Sequence, residues 1–276
     1  MLLKVHGEDV YCYTGGKPFD AGLPTIVFLH GAQNDHSVWI LQTRYFAHHG
    51  FGVLAVDLPG HGRSKGAPLA TVEEMADWLL ATLDAAGIGR GIVAGHSMGS
   101  LIALETACRA PQRVAALALL GTAWPMKVSP ALLEASLHRE QSAIDMVNIW
   151  SHSTMSHKPS SPGPGFSVMG GSRRLMQHVA ARNTAPVFHT DFSACNAYAG
   201  GDTAAASVSC PTLFLLGRRD QMTPPKAASR LTGAIPHAEV SFIEDCGHQM
   251  MAEQPDAVLD RLYGFCARVA SAIRGE

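Results

Sequence analysis

The chain has 276 residues, 47% of them hydrophobic and 16% charged, a balance that supports a large buried core and excludes an intrinsically disordered chain. Lys plus Arg (21) against Asp plus Glu (23) leaves a net charge of −2; with no run of like charge to track a phosphate backbone or coat an anionic membrane, neither is an expected partner. The six cysteines form no Cys-x-x-Cys pair and no zinc-site spacing, which predicts reduced thiols and no metal.

The chain opens on Met1-Leu2-Leu3-Lys4-Val5-His6-Gly7-Glu8-Asp9, which reaches charge too soon for a signal peptide, and no apolar run approaches transmembrane length. The expectation is a soluble, cytoplasmic protein. Leu2 to Val5 and Val10 to Thr14 read as an antiparallel hairpin, followed by a loop broken by Gly15, Gly16, Pro18, Gly22 and Pro24. Thr25 to His30 is apolar on successive residues, as a strand buried on both faces requires. After the Gly31 to Asp35 turn, Ser37 to His49 is a predicted helix with Trp39, Ile40, Tyr45 and Phe46 packed beneath. Gly52 to Asp57 is a second buried strand. Thr71 to Ala86 is a helix with Thr71 and Glu74 in capping-box positions and Met75, Leu79 and Leu83 on one stripe.

Gly91 to Ala94 is a further strand, Ser100 to Ala107 a helix, and Val114 to Leu120 another buried strand; this alternation predicts a mostly parallel sheet covered on both faces. From 122 to 209 no strand pattern appears. Leu132, Leu133, Leu137, Ile144, Val147 and Ile149 suggest helices, His157 to Gly165 is a Pro/Gly/Ser loop, and Arg173 to Asn183 and Val187 to Tyr198 are helical. Cys210 to Gly217 returns to the buried-strand pattern. Pro224 to Leu231 (helix), Glu239 to Ile243 (strand) and Pro255 to Ile273 (long helix) close the chain.

Between the third buried strand and its helix stands Gly95-His96-Ser97-Met98-Gly99. G-x-S-x-G in that context is a nucleophile elbow: the turn is tight enough to strain the serine backbone, and the glycines keep neighbouring atoms from colliding. Ser97 Oγ then stands above the sheet edge. The N–H of Met98 opens the helix toward the same point, where it stabilises negative charge on an attacked carbonyl.

At these residues the chain resembles the α/β-hydrolase family, and the expected architecture is that α/β fold. It comprises a core over 1–121, a helical cap inserted over 122–209 and the rest of the core over 210–276. A serine needs a base, and the base needs a carboxylate. In the family these follow in the order serine, acid, histidine, each after a strand. The resemblance assigns the acid to Asp220, in Gly217-Arg218-Arg219-Asp220, and the base to His248, in Asp245-Cys246-Gly247-His248. Asp57, Asp202 and Asp245 are the competing acids. Asp57 begins a turn motif that is structural in the family, Asp202 ends the cap, and Asp245 lies too close to His248 in sequence to reach its ring without folding back. The second oxyanion donor falls on Ala32 N–H, with Gln33 the neighbouring alternative. Gln33, His96 and Gln249 are predicted to contact substrate, His96 as a packing residue rather than a second base. His30 and His61 belong to turn motifs with structural hydrogen bonding.

The elbow serine excludes haloalkane dehalogenases and epoxide hydrolases, which carry aspartate there. The resemblance then implies hydrolysis of a small or medium carboxylic ester through an acyl-enzyme, with no cofactor, a small-molecule substrate, and a monomer or homodimer. The alternatives are a C–C bond hydrolase of ring-fission products, with Arg173 or Arg174 holding a substrate carboxylate, and a non-hydrolytic binding or lyase member. Gln249, where C–C hydrolases commonly have tryptophan, and Gly31-Ala32-Gln33-Asn34, in place of the Gly-Gly-Pro-Gly of proline iminopeptidases, weigh against two branches. Met155, Phe166, Met169, Leu175, Met176, Val179, Phe188, Phe192 and Tyr198 suggest an apolar roof, shared between the pocket and the cap's own core.

Overall fold

In the computed structural model, which describes residues 1–154, 156, 168–182 and 185–274, Leu2–Val5 (β1) and Glu8–Tyr13 (β2) form the expected antiparallel hairpin. Thr25–Leu29 (β3), Gly52–Val56 (β4), Gly91–His96 (β5), Val114–Leu120 (β6) and Thr212–Gly217 (β7) are buried at every position, because helices cover both faces of these strands. Glu239–Ile243 (β8) forms the far edge, with Ile243 alone buried. The eight strands run in the order β1-β2-β4-β3-β5-β6-β7-β8, antiparallel from β1 through β2 to β4 and parallel beyond. The β3 and β5 pairing sets the Gly31 turn beside the elbow.

The helices in chain order are Ile40–His48 (α1), Val72–Ala85 (α2), Met98–Arg109 (α3), Pro130–His138 (α4), Glu140–Trp150 (α5), Val168–Ala181 (α6), Val187–Ala197 (α7), Gly201–Ser207 (α8), Ser229–Ala234 (α9), Met250–Glu253 (α10) and Pro255–Arg274 (α11). Alternate residues of each strand feed opposite cores. Val27 and Leu29 pack with Leu79 of α2 and Leu101 of α3, whereas Ile26 and Phe28 pack with Trp39, Phe46 of α1 and Leu262 and Phe265 of α11. Burial of each such side chain contributes about 1.5–3 kcal/mol. The start of α2 is capped as expected: Thr71 Oγ1 accepts from Glu74 N–H, and Glu74 Oε2 from Ala70 N–H.

The helices α4 to α8 fall between β6 and β7, and α4 to α7 share a core of their own around Ile144, Met176, Phe188 and Phe192. Tyr198 joins them to the sheet layer through its hydroxyl, which donates to Glu105 Oε2 of α3 at 2.7 Å. Two expectations need correction. Ile40 and Tyr45 are 39% and 36% exposed, because a 3-10 turn over His36–Trp39 precedes α1 and leaves Trp39 and Phe46, seven residues apart, on the inward face. Helix α8 was not anticipated. Met155, Phe166 and the His157 to Gly165 loop lie outside the described residues. Among the described residues no helix is long and apolar enough to cross a membrane.

Candidate active site

The turn between β5 and α3 holds Ser97 at φ 53° and ψ −119°, backbone that costs a non-glycine residue about 1–3 kcal/mol. Its neighbours permit nothing larger. A Cβ on Gly95 collides with the Gly99 carbonyl, and one on Gly99 stands 2.7 Å from the His30 carbonyl oxygen. The turn is held by Ser97 N–H donating to Leu120 O at 2.9 Å and by the Ser100 hydroxyl donating to Ser97 O at 2.6 Å.

His248 and Asp220 reach the same place from the ends of β8 and β7. His248 Nδ1 lies 2.8 Å from Asp220 Oδ2 and 3.0 Å from Thr223 Oγ1. Asp220 Oδ1 accepts from the backbone N–H groups of Met222 and Thr223 at 2.9 and 2.8 Å. Burial pushes the Asp220 carboxyl up, but the His248 charge and the hydrogen bonds from His248 and Thr223 outweigh it and hold the group below its ordinary value. An ionised acid at Nδ1 leaves the other ring nitrogen of His248 free to take a proton. The ring is fixed from behind: His248 N–H donates to Ser151 O at 2.7 Å, and a Cβ on Gly121, at φ 53°, would come within 3.2 Å of the imidazole. Thr223, Ser151 and Gly121 were not singled out from sequence. Thr223 had a signal, since Asp-x-x-Thr is a turn in which the acid accepts from the residue three places on.

The competing acids are engaged elsewhere. Asp57 accepts from His36 N–H at 2.7 Å and Arg63 N–H at 2.8 Å. Asp202 and Asp245 pair with Arg230 and Arg219 at the surface.

Ala32, Ser97, His96, His248 and Gln249 line one small chamber of about 20 Å³, room for a single water-sized group. Met98 is the first residue of α3, so its N–H has no acceptor within the helix. The N–H of Ala32 likewise has no partner among the described residues. A cavity of about 210 Å³ opens from Ser97 and Ala32 toward Met126, Leu132, Phe192 and Met222. Of the proposed roof, Phe192 reaches it, while Met176 and Phe188 belong to the core of the inserted helices.

Gln33 is corrected on both counts. Its N–H donates to Asp191 Oδ2 at 2.8 Å, and its side-chain amide is turned toward Met176 O at 3.1 Å and Glu140 at 3.3 Å. It is neither an oxyanion donor nor, among the described residues, part of the lining at Ser97. Asp191, on α7, is fully buried and also accepts from His61 Nε2 at 2.9 Å. His61 Nδ1 faces Pro59 O at 3.0 Å. Both ring nitrogens therefore meet acceptors and both carry hydrogen, which makes His61 an imidazolium. Burial pulls its pKa down, and Asp191 more than reverses this, so the value is raised. His96 packs as expected: its Nε2–H donates to His248 O at 2.9 Å.

The chain is similar in sequence to known hydrolases and in fold to solved structures. A hydrolase from Cupriavidus pinatubonensis, named for 2-hydroxy-6-oxononadienedioate and 2-hydroxy-6-oxononatrienedioate, is 28% identical over 255 residues, covering 86% of this chain and 84% of that one. A pimeloyl-[acyl-carrier protein] methyl ester esterase from Nitrosomonas europaea is 27% identical over 248 residues, covering 84% and 92%. A protein of Mycobacterium phage D29 is 46% identical, but over 99 residues, so that the chain spans 36% of its length. The enol-lactonase of Burkholderia xenovorans LB400 superposes with a TM-score of 0.83 at 24% identity, covering 97% of this chain and all of that one, a likeness of fold. The alpha/beta hydrolase family model matches residues 26–261, from the strand that leads into the Gly31 turn to the helix that follows His248, and the chain belongs to that family.

Proposed function

We propose that the protein hydrolyses carboxylic esters through an acyl-Ser97 intermediate. The observation that carries this reading is the hydrogen bond of 2.8 Å between Asp220 and His248, which shares a chamber with Ser97 and with Ala32, whose N–H has no partner among the described residues. His248 Nε2 takes the Ser97 hydroxyl proton as Oγ bonds to the ester carbon. The carbonyl oxygen becomes an oxyanion held by the N–H groups of Ala32 and Met98. Collapse breaks the bond to the alcohol oxygen, which receives the proton from His248, and water repeats the sequence to free the acid and restore Ser97. The groups required are all side chains or backbone of this chain, and no cofactor enters.

A second reading, cleavage of a C–C bond in a ring-fission product, is favoured by the Cupriavidus pinatubonensis relative. It would use the same serine, base and donors. Against it, Arg173 is paired with Asp145 at 2.7 Å on the outer face of α6 and Arg174 is exposed, so neither is held ready for a substrate carboxylate. A chromogenic ester panel run beside a ring-fission dienoate separates the two. The expected outcome is ester turnover and covalent labelling by an organophosphate, both abolished in Ser97→Ala. Labelling that persists at another residue overturns the assignment, and dienoate turnover without ester turnover reverses the ranking.

A further inference from the structure

A second groove borders the reaction chamber on the side of the base. It encloses about 350 Å³, more than the 210 Å³ of the cavity above Ser97. Its apolar walls come from three separate elements: Ile40 and Leu41 at the start of α1, Gly171 and Leu175 on α6, and Met251 on α10. Ile40 and Leu41 are 39% and 47% exposed there. Apolar side chains from unrelated elements turned to one open space are what an apolar ligand covers.

Asn34 and Gln249 line both this groove and the chamber that holds Ser97 and His248, so they form the wall between the two. The two are not equally fixed. Asn34 Nδ2 donates to Ala32 O at 3.0 Å. Gln249 is tied by its backbone N–H to Ser151 O at 3.0 Å, and its side-chain amide has no hydrogen bond among the described residues. Turning that amide out of the wall breaks no hydrogen bond among the described residues.

We propose that the groove receives the alcohol portion of an ester whose alcohol is an extended apolar chain, with Gln249 as the movable part of the wall. This rests on the ester reading above and adds the substrate class. The assignment of alcohol rather than acyl follows from the proton. When the bond between the acyl carbon and the alcohol oxygen breaks, the acyl carbon stays on Ser97 Oγ and the departing oxygen takes the proton of His248 Nε2. The alcohol must then lie on the side of His248, and the chamber lined by His248 and Gln249 is the one that adjoins the groove. The 210 Å³ cavity is lined by Ser97 and Ala32 but not by His248, and takes the acyl chain.

A Cβ added at Gly171 meets no atom within 4 Å, so Gly171→Phe fills the groove without forcing a backbone shift and removes a glycine from a helix interior. The experiment measures kcat/KM along two series, acetates of methanol to octanol and methyl esters of acetic to octanoic acid. In the wild type kcat/KM rises along the alcohol series. In Gly171→Phe, and in Leu41→Asp as an independent variant at the opposite wall, the octyl-to-methyl ratio falls roughly 10-fold or more, the scale on which an apolar pocket discriminates, while the acyl series keeps its slope. A flat alcohol series in the wild type, or variants that change the acyl slope and not the alcohol ratio, overturns the groove assignment and leaves the ester reading standing. Failure of the wild type on every ester of both series overturns that reading, and the groove assignment with it.

Discussion

Asp191 acts at a distance from the reacting atoms, and its energetics follow from burial. It sits with His61 in a fully enclosed pair, and the same oxygen accepts from Gln33 N–H, one residue beyond the proposed Ala32 donor. Removing one partner of a buried pair leaves an uncompensated charge and costs about 3–5 kcal/mol, and here it also frees the loop that aims Ala32 N–H. Asp191→Ala is therefore expected to lower kcat by roughly 10- to 100-fold, up to the lower end of the roughly 10²- to 10³-fold range for losing one oxyanion donor outright, with KM changed a few-fold at most. Asp191→Asn keeps an oxygen for Gln33 N–H and recovers part of the rate. Steady-state kinetics on a chromogenic acetate decide it: a raised KM at unchanged kcat would mean that Asp191 shapes substrate binding instead. Nothing in the sequence marked Asp191, because its partners lie 130 and 158 residues away. Asp220 and His248 were legible as candidates because each follows a strand in a short, recognisable turn, although only β7 is buried throughout and β8 is buried at Ile243 alone. Gln33 was misassigned because adjacency to Ala32 says nothing of where a residue at φ 56° turns its N–H.

At the scale of elements, α10 adds to the bonds that hold the loop carrying His248 to Ser151 and to the end of β7. Glu253 of α10 is buried; its carboxylate accepts from Gly247 N–H at 3.1 Å, Ser153 N–H at 2.9 Å and the Ser156 hydroxyl at 2.7 Å. Gly247 is required at this junction, since a Cβ there would stand 2.6 Å from Ser153 N. Glu253→Ala leaves two buried N–H groups without acceptors, each costing about 1–3 kcal/mol. The expected result is a loss of roughly 2–5 kcal/mol of stability in urea unfolding, together with reduced turnover as His248 loosens; Glu253→Gln, which retains an acceptor oxygen, is milder. Unchanged stability in Glu253→Ala would show that water replaces the carboxylate. Elements of this kind were the hardest to read. The buried strands announce themselves by unbroken apolar runs and α2 by its cap, whereas α10 is four residues long and α8, Gly-Asp-Thr-Ala-Ala-Ala-Ser, has no apolar stripe. Helix α8 is placed by contact: a Cβ on Gly201 would collide with the Trp124 ring.

Across the whole molecule, pH acts through histidines buried in opposite charge states. His30 Nε2 accepts from Leu58 N–H at 3.1 Å, which fixes a neutral ring, and burial followed by the His61 charge pushes its pKa down to about 4. His96 is neutral with Nδ1 buried and unpaired, and burial followed by the His248 charge lowers it to about 3. Groups with depressed values bind their proton only on unfolding, so the folded state loses stability as pH falls below the ordinary histidine value of about 6.5. His61 has the opposite sign. Its raised value contributes stability that is complete below about 6.5 and is lost as pH rises through the folded value. The carboxylates Asp57 and Asp220, both held low, matter only below the ordinary carboxylate value. Between pH 6.5 and 4 the two neutral histidines thus dominate, and in the middle of that window, near pH 5, unfolding takes up close to two protons, about 3 kcal/mol per pH unit. That is a large fraction of a typical domain's stability of about 5–15 kcal/mol. Urea unfolding at pH 7, 6 and 5 is expected to show a small change from 7 to 6 and a steep fall from 6 to 5, and His96→Asn to remove about one proton from the slope at pH 5. A stability flat from pH 7 to 5 would mean that His30 and His96 take up protons within the folded protein, and the hydrogen bond from Leu58 N–H to His30 Nε2 would then have to break before the chain unfolds.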